Sequence, residues 1–530
     1  MDKKRNITVC VAWPYANNNL HIGHVSSLLA GDLLARYHRM QGDNVLMVGG
    51  TDSHGTKPSI RAKQEGVTPK EIVDRYHENF KETFKKFNFS FDMYNITYDP
   101  YHKEKVKEFT RKFYDNGYLY ENRLIRPFCP TCNKFMADTE LEIICPNCGK
   151  ATKADSCDCG HVPSEKDLEG AKCLICGGKT VQKENRVLVF KLTAFKDQLK
   201  KLVDDHENIW RPNSINETRK YLADLQDRDY SRDLDWGIEI PIAGFEDKKI
   251  WVWWEALLGY VTDTMKVCEQ RGLNWRDYWS NDTQTDKRIY MCHAKDNIPF
   301  HSLFLPAMLM ATKDNFFIPD IMVSAEYLTF NNEKISKSKG FDMSALSYAN
   351  EFNTDSLRYY FFAYGPEKKD ADFTSELYKN VHNTEVVNKL GNLVNRVLKF
   401  KGLTRIPVGK IDENVRLKVK EVFEKSSELI EHIEFKKYAE CVMNLVADTN
   451  KYYDDQKPWA QAKEDEAAFA NTMATCAYVI ANLSILMEPI MPKSCAKLRE
   501  ILGITEFGFK PVDVALGREL GEIQPLFSRF

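Results

Sequence analysis

The stretch ITVCVAWPYANNNLHIGHVSSLLAGDLLARYHRMQG, residues 7–42, decides the fold. ITVCVAW is a nearly continuous apolar run, which is typical of a strand buried on both faces of a parallel sheet. PYANNN then supplies turn residues, and from HIGH onward the apolar residues recur at helical spacing. A second strand-like run, NVLMVGG, ends at TDSHG. This alternation predicts a doubly wound α/β domain of Rossmann type, with ligands at the carboxyl ends of the strands.

The rest of the chain divides by composition. From about residue 120 to residue 182, cysteine, glycine and lysine dominate, which indicates an insertion into the sheet. Strand-like runs return at KIWVWW, RIYMCHA and DIMVSA, so we expect the α/β domain to resume there. Beyond about residue 375, long amphipathic stretches such as VVNKLGNLVNRVLKF predict a separate α-helical bundle.

Bulk properties exclude several classes of protein. The chain has 530 residues and a net charge of −2, so any RNA binding must rest on local basic patches. No secretory signal precedes the first strand, and we expect no membrane-spanning stretch of the roughly 20 apolar residues that a span needs. The expected location is the cytoplasm.

Eight of the fourteen cysteines lie between residues 129 and 176. Cys129 and Cys132, Cys145 and Cys148, and Cys173 and Cys176 form CxxC pairs, and Cys157 and Cys159 form a CxC pair. Paired thiolates at this spacing favour tetrahedral zinc over disulfides in an intracellular chain. The CxC spacing strains chelation, and His161 is an alternative ligand there.

Two short motifs carry the chemistry of phosphate binding. In HIGH, residues 21–24, His21 and His24 stand at a helix start, where unsatisfied N–H groups favour anions, and Gly23 allows close approach. In KISKS, residues 334–338, Lys334 and Lys337 with Ser336 and Ser338 form a basic segment able to bind phosphates. Each motif alone is compatible with ordinary surface, but their combination in this order is far less expected by chance.

This pair of motifs resembles the HIGH and KMSKS signatures of the class I aminoacyl-tRNA synthetases. Within that class the chain is similar to the methionyl-tRNA synthetase family over nearly its whole length, at AWPYANNNLHIGH, GGTDSHG, WVWWEALLGY, HAKDNIPFHSLFLPAML and DSLRYYF. The resemblance implies attack of the methionine carboxylate on the α-phosphorus of ATP, with release of pyrophosphate. The methionyl group then passes to the terminal ribose of tRNA(Met).

The resemblance also implies roles for individual residues. His21, His24, Lys334 and Lys337 would be catalytic and, with Gly23, Asp296, Ser336 and Ser338, would bind ATP accompanied by Mg²⁺. Asp52 would receive the methionine ammonium group and pair with Arg232. The remaining methionine-binding residues would be Ala12, Trp13, Tyr15, Trp253, Ala256, Leu257, Tyr260, Asn297 and His301.

Zinc and tRNA contacts follow from the same resemblance. One structural zinc would bind Cys129, Cys132, Cys173 and Cys176, and a second would bind Cys145, Cys148, Cys157 and Cys159, giving one or two ions. The anticodon would contact Asn392, Arg396, Pro458 and Trp459. We expect a monomer.

The implied domain division has five parts. Residues 1–119 and 231–325 would form the two halves of the Rossmann-type catalytic domain, separated by a zinc-binding insertion at 120–230. Residues 326–374 would carry the KMSKS loop, and residues 375–530 would form the α-helical anticodon-binding domain.

The pocket departs from residues frequent in the family. Trp13 occupies a position where leucine is frequent, Leu257 one where proline is frequent, and Glu255 one where aspartate is frequent. Lys57 is a further departure, directly after TDSHGT. A nucleotidyl transferase acting on a small molecule is one alternative, and a non-catalytic zinc-containing RNA-binding paralogue is another. The helical C-terminal third argues against the first, and the intact motifs argue against the second.

Overall fold

A five-stranded parallel sheet forms the centre of the N-terminal two thirds of the protein. A computed structural model describes residues 4–137, 140–154, 165–330, 333–334, 343–521 and 523–530. In spatial order, the strands are Ile321–Ala325, Lys287–Ala294, Asn6–Val11, Asn44–Thr51 and Met93–Ile96. All four pairings are parallel. The chain therefore winds outward from the first strand in both directions, which confirms the predicted doubly wound topology.

Helices cover both faces of this sheet. The HIGH helix, Ile22–Gln41, follows the first strand, and its apolar residues pack against the sheet. The pocket helix, Val252–Arg271, packs on the opposite hydrophobic cluster. The other helices of this region are Thr56–Glu65, Pro69–Lys86, Pro100–Asp115, Lys196–Asp205, Pro212–Ala223, Arg276–Trp279, Leu305–Ala311, Ala345–Glu351 and Thr354–Tyr364. A π-helical turn, Phe300–Phe304, precedes Leu305–Ala311.

One predicted strand is wrong. In KIWVWW only Lys249–Ile250 is a strand, and Val252 already begins the pocket helix. A short apolar run does not distinguish a buried strand from a buried helix start, because periodicity is absent from both. Trp254 is fully buried, so the apolar character of this segment reflects burial on several sides. The other two expected strands, RIYMCHA and DIMVSA, are present as Lys287–Ala294 and Ile321–Ala325.

The insertion consists of two small antiparallel sheets. Its larger sheet orders the strands Arg228–Asp229, Val181–Phe190, Leu119–Cys129 and Lys134–Phe135. Its smaller sheet orders Ala151–Lys153, Leu141–Ile144 and Lys172–Cys173. A cluster of few apolar side chains with two of the cysteines, Cys129 and Cys173, forms its core. A core of this size gives little stability by itself, and a metal bound by the cysteine pairs would add to it.

The C-terminal third is an α-helical bundle, as predicted. Its helical segments are Ser375–Val381, His382–Gly391, Asn392–Leu398, Glu413–Glu431, Phe435–Gln456, Pro458–Glu464, Glu466–Leu486 and Pro492–Leu502. Contrary to the sequence expectation, Glu466–Leu486 is long and apolar enough to cross a membrane by length and composition. Every residue from 472 to 486 is buried among the other helices. Its composition is thus that of a bundle's core helix.

Arg358, on the helix Thr354–Tyr364, joins the HIGH helix to the bundle through buried contacts. Arg358 and Asp32 are both fully buried, and Nη2 of Arg358 lies 2.7 Å from Oδ2 of Asp32. The same guanidinium donates to the carbonyls of Phe87, Pro489 and Ile490, the last two from the bundle. Asp32 also accepts from Arg36 at 2.8 Å. Because Asp32 lies in the HIGH helix, this contact fixes that helix relative to the bundle.

Replacing Arg358 by methionine should destabilise the protein by about 3–5 kcal/mol, because Asp32 and three carbonyls lose a buried donor. The measurement is the apparent melting temperature of the folded chain. Arg405→Met is the matched control, since its ion pair with Glu519 spans 3.8 Å between side chains that are 62% and 85% exposed. An exposed pair of this kind contributes about 0–1 kcal/mol. Equal melting temperatures for the two variants would contradict the assignment.

Candidate active site

A cavity of about 540 Å³ opens at the carboxyl ends of the central strands. Tyr15 follows the end of the first strand, and Asp52 follows the end of the second. Asn297 and His301 lie in the segment after Lys287–Ala294. The first strand pairs with both neighbours, so the cavity lies at the switch point where ligands bind in doubly wound folds.

Ten of the eleven predicted methionine-binding residues line this one cavity. They are Ala12, Trp13, Tyr15, Asp52, Trp253, Ala256, Leu257, Tyr260, Asn297 and His301. His21 and His24 of the HIGH motif line it as well. Residues that are up to 289 positions apart in sequence (12 to 301) therefore meet at one site.

Two glycines accommodate the indole ring of Trp13. A Cβ added to Gly50 would lie 2.6 Å from the Trp13 ring, and one added to Gly259 would lie 2.5 Å from it. The ring also meets Tyr260 edge-on, with 6.4 Å between centroids. The indole ring of Trp13 therefore fits because the second strand and the pocket helix each have a glycine where the ring lies.

Hydrogen bonds fix the tautomer of His301. Its Nδ1 lies 2.8 Å from the carbonyl oxygen of Asn297, which can only accept, so Nδ1 carries the proton. Nε2 is then an acceptor, and the Tyr260 hydroxyl donates to it at 2.8 Å. Burial lowers the pKa of His301 to about 4. A neutral, oriented imidazole therefore stands in the wall of the cavity.

Asp52 is a buried carboxylate that faces the cavity. In the part of the chain that the structure describes, its Oδ1 has no hydrogen-bond partner. Burial raises the pKa of Asp52 well above its ordinary value, and the Glu255 carboxyl raises it further, whereas the His54 N–H and Lys57 lower it. A cationic group entering the cavity would supply the missing partner and stabilise the carboxylate.

Behind Asp52 lies a buried pair formed by His54 and Glu255. Nδ1 of His54 and Oε1 of Glu255 are 2.6 Å apart, and the side chains are 1% and 0% exposed. Burial lowers the pKa of His54 to about 3 and raises that of Glu255 well above its ordinary value. Both shifts favour a neutral pair, which joins the loop after the second strand to the pocket helix.

The two histidines of HIGH stand at the start of the HIGH helix. The backbone N–H of His21 donates to Nδ1 of His24 at 3.1 Å, and the two rings lie 3.7 Å apart. Since Nδ1 of His24 accepts, the proton of a neutral ring is on Nε2. The helix start and these imidazoles together create a setting that favours anions such as phosphates.

The segment that follows KISKS lies against HIGH. His21 forms a β-bridge with Ser344, and the Ile22 N–H donates to the Met343 carbonyl at 3.0 Å. Both Met343 and Ser344 line the cavity. Lys334 ends the short strand Glu333–Lys334, whereas Ser336, Lys337 and Ser338 lie outside the described residues. Their roles stay predictions.

Among the predicted methionine- and ATP-binding residues whose side chains the structure describes, those outside the cavity lining are Gly23, Arg232 and Asp296. Arg232 does not pair with Asp52: its Nη1 donates to Asp229 at 2.8 Å, and its guanidinium stacks on Trp251, 4.5 Å from the ring centroid. The sequence prediction was wrong on this pairing because a nearer carboxylate, three residues away, competes for the guanidinium. Asp296 is exposed and accepts a hydrogen bond from the Tyr327 hydroxyl.

Sequence reasoning missed several residues of the lining. These are Pro14, Asn17, Asn18, Asn19, Leu20, Phe300, Met343 and Ser344, and Lys57 was noted only as a departure. Phe300 stacks on Trp253 with 3.9 Å between centroids. The asparagine run directly before HIGH and the aromatic neighbour of His301 are the signals that could have identified part of this set.

Four cysteines of the insertion converge. The sulfur atoms of Cys129, Cys132, Cys173 and Cys176 all lie within 4.8 Å of one another. The Cys129–Cys176 and Cys132–Cys173 sulfur distances are 3.4 and 3.8 Å. Tetrahedral zinc with Zn–S bonds of ~2.3 Å requires sulfur separations of about 3.8 Å, so the four thiols fit a metal ion. Cys157, Cys159 and His161 lie outside the described residues, so the second site stays a prediction.

A second candidate surface lies on the helical bundle. Trp459 is 47% exposed, and its ring centroid is 6.2 Å from that of Tyr453. The Arg396 guanidinium lies 4.3 Å from the Tyr453 ring and pairs with Asp454. Asn392 is exposed on the same short helix as Arg396, and Pro458 begins the helix that carries Trp459. These side chains could stack on and hydrogen-bond an unpaired base.

Comparison with known proteins agrees with this geometry. Residues 7–398 match the family model described as tRNA synthetases class I (M). Residues 406–518 match the anticodon binding domain of methionyl tRNA ligase.

The relatives are similar along their whole length. Methionine--tRNA ligase 1 of Alkaliphilus oremlandii (strain OhILAs) is 40% identical over 529 residues, which cover 99% of this chain and 97% of the relative. Methionine--tRNA ligase of Bacillus mycoides (strain KBAB4) is 40% identical over 526 residues, covering 98% and 95%. The solved structure of Mycobacterium tuberculosis methionyl-tRNA synthetase in complex with methionyl-adenylate has a TM-score of 0.82 at 24% identity, covering 99% of this chain and 100% of that one. By its family match and its relatives, this chain belongs to the methionine group of the class I tRNA synthetases.

Proposed function

We propose that the protein is a methionine–tRNA ligase. A carboxylate oxygen of methionine attacks the α-phosphorus of ATP, the bond to the β-phosphate oxygen breaks, and pyrophosphate leaves. A hydroxyl of the 3′-terminal ribose of tRNA(Met) then attacks the methionyl carbonyl, and AMP leaves. The observation that carries this proposal is the single cavity in which Asp52, His301 and the HIGH histidines meet.

The ammonium group of the substrate would be the partner that Oδ1 of Asp52 lacks within the described residues. A buried carboxylate oxygen without a partner is costly, and an ammonium group in the cavity would form an ion pair with it. The neutral pair of His54 and Glu255 adds no charge that would compete for the ammonium. Asp52 would thereby orient methionine with its carboxylate available for attack.

The side chain of methionine fits the aromatic part of the cavity. Trp13, Tyr15, Trp253 and Phe300 offer ring faces and edges, and a thioether is flexible and interacts well with aromatic rings. The Tyr260 hydroxyl donates a hydrogen bond to Nε2 of His301, so the Tyr260 oxygen is held at a fixed position in the wall. A rigid wall of this kind favours one side-chain shape over others.

The HIGH helix would bind the phosphates of ATP. Its N-terminus and the Nε2–H of His24 donate to oxygen atoms on which negative charge increases during attack. No covalent enzyme intermediate is required, so rate enhancement comes from positioning and charge stabilisation. Mg²⁺ bound with ATP would neutralise part of the phosphate charge, and Lys334 and Lys337 would contribute further positive charge.

The insertion and the bundle have separate roles in the proposal. Zinc bound by Cys129, Cys132, Cys173 and Cys176 would hold the insertion together and take no part in the reaction. Trp459 and Arg396 would contact the anticodon. A small-molecule nucleotidyl transferase would have no use for this bundle, which is why the ligase is preferred.

The first prediction from the proposed function concerns which amino acid the protein activates. In a panel of amino acids, methionine alone should stimulate ATP–pyrophosphate exchange strongly. His24→Ala should lower kcat for exchange by roughly 100-fold or more, because a phosphate donor is lost. His432→Ala is the matched control, since this exposed histidine lies in the bundle, where its Nδ1 donates to the Glu428 carbonyl. Stimulation by another amino acid and not by methionine would refute the proposal.

The second prediction concerns pH. Only ionised Asp52 binds an ammonium group, and its pKa in the empty cavity is raised, so methionine affinity should fall as pH decreases through that raised pKa. The limit is about tenfold in affinity per pH unit. The KM for methionine in exchange should therefore increase toward low pH, while the KM for ATP changes little.

Asp52→Asn supplies the control for this pH dependence. The variant should have a high KM for methionine that no longer varies over the same pH range. A wild-type profile retained in Asp52→Asn would assign the titration to another group.

The third prediction concerns zinc. Metal analysis should find at least one zinc per chain, and Cys173→Ser should lose one equivalent because a tetrahedral site needs all four ligands. Cys441→Ser is the control, since Cys441 lies on the helix Phe435–Gln456 of the bundle. Two equivalents in the wild type would support the additional site at Cys145, Cys148, Cys157 and Cys159. A content well below one would contradict the four-cysteine site.

A further inference from the structure

His293 lies behind the wall of the active-site cavity. It belongs to the strand Lys287–Ala294, whose residue Met291 packs in the same hydrophobic cluster as the pocket helix. Side chains alternate between the two faces of a strand, so His293 lies on the same side of the sheet as Met291. His293 is fully buried and is absent from the cavity lining, whereas His301 lines the cavity. The two imidazole rings stack with 4.3 Å between centroids and 8° between planes, so His293 supports His301 from the protein interior.

Both rings of this stack are uncharged. Nδ1 of His293 lies 3.0 Å from the carbonyl oxygen of Ala294, which can only accept, so Nδ1 carries the proton. Burial lowers the pKa of His293 well below its ordinary value, and the neighbouring His301 lowers it further. Burial likewise lowers the pKa of His301 to about 4. The two imidazoles therefore stack without charge repulsion at neutral pH.

The second nitrogen of His293 adds nothing to the stability of the sheet. Within the part of the chain that the structure describes, its Nε2 is buried and has no hydrogen-bond partner. An apolar side chain of similar size would stabilise this strand at least as well, because it would bury no unpaired acceptor. An aliphatic side chain would not supply the flat face that stacks on His301. The use of histidine at this position therefore points to the pocket.

His301 is held at two atoms of its ring. Its Nδ1 donates to the Asn297 carbonyl and its Nε2 accepts from the Tyr260 hydroxyl, each at 2.8 Å. Both hydrogen bonds act in the plane of the ring, so they resist least a tilt about the line that joins the two nitrogens. A ring stacked on the face resists this tilt, because tilting separates the two faces. The stack on His293 thus supplies the restraint that the hydrogen bonds lack.

We propose that His293 is a positioning residue for methionine recognition: its ring fixes the plane of His301, and His301 then forms a rigid wall against the methionine side chain. This inference rests on the proposed function, since a methionine side chain must occupy the cavity for the wall to act on it. A wall that cannot tilt rejects side chains that differ from methionine by one methylene, whereas a tilting wall accepts them more readily. His293 acts through His301 because it lies outside the cavity lining.

Two substitutions separate the stacked ring of His293 from its polar atoms. His293→Asn keeps an N–H donor and removes the aromatic ring, whereas His293→Phe keeps a flat ring and removes both nitrogens. His382→Asn is the matched control, because His382 is 1% exposed and its ring lies 4.7 Å from that of Phe530, on the helical segment His382–Gly391 of the bundle. ATP–pyrophosphate exchange without tRNA would be measured with methionine and with ethionine, which carries one additional methylene on sulfur.

His293→Asn should raise the KM for methionine by roughly 2- to 10-fold, the range for the loss of one aromatic pair. The preference for methionine over ethionine in kcat/KM should fall by a similar factor. The KM for ATP should not change, because the HIGH histidines are untouched. His293→Phe should stay close to the wild type, since it keeps the stack. His382→Asn should lower the melting temperature and leave both KM values unchanged.

A double-mutant cycle tests whether His293 acts through His301. In the His301→Ala background the ring that His293 supports is absent, so adding His293→Asn should change the KM for methionine no further. The cycle uses only the smaller asparagine, so it decides the question even where phenylalanine disturbs the packing.

The inference fails if His293→Asn keeps the wild-type KM and selectivity for methionine while its melting temperature falls as that of His382→Asn does, because His293 would then be structural only. It also fails if a folded His293→Phe loses as much selectivity as His293→Asn, or if the effects of His293→Asn and His301→Ala on the KM simply multiply. Failure of the wild type to catalyse methionine-dependent exchange would instead refute the proposed function, so the two failures are distinguishable.

Discussion

The structure depends on the position of the first strand, which pairs in parallel with a neighbour on each side. One neighbour, Asn44–Thr51, follows within 40 residues, whereas the other, Lys287–Ala294, returns after the whole insertion. The chain winds away from this strand in opposite directions, and a crevice is left at its carboxyl end. The active-site cavity is that crevice, and the HIGH helix begins at its edge.

Burial controls the charges around this crevice. It holds His301 neutral with one defined tautomer and favours neutrality for the pair of His54 and Glu255. Asp52 is thereby the acidic group of the cavity that a ligand can neutralise, since within the described residues its Oδ1 has no protein partner. The cavity therefore suits a ligand with a cationic group, which Asp52 would bind, and an apolar side chain, which the aromatic residues would contact.

The helical bundle and the insertion attach to the same core. Arg358 connects the HIGH helix to the bundle, because it pairs with Asp32 and also donates to the carbonyls of Pro489 and Ile490. Four cysteines whose sulfur atoms could hold a metal ion lie in the insertion, whose own apolar core is small.

The sequence by itself determined the α/β domain, the insertion and the helical bundle, and ten of the eleven residues predicted to bind methionine line the active-site cavity. Strand runs, helical periodicity and cysteine pairs are local signals, and the resemblance supplied the pocket residues, so no coordinates were needed. Only the tertiary structure decided that WVWW begins a helix, that Arg232 pairs with Asp229, and that Phe300, Met343 and Ser344 complete the cavity. These features depend on which side chains become neighbours when the chain folds, and a linear pattern does not contain that information.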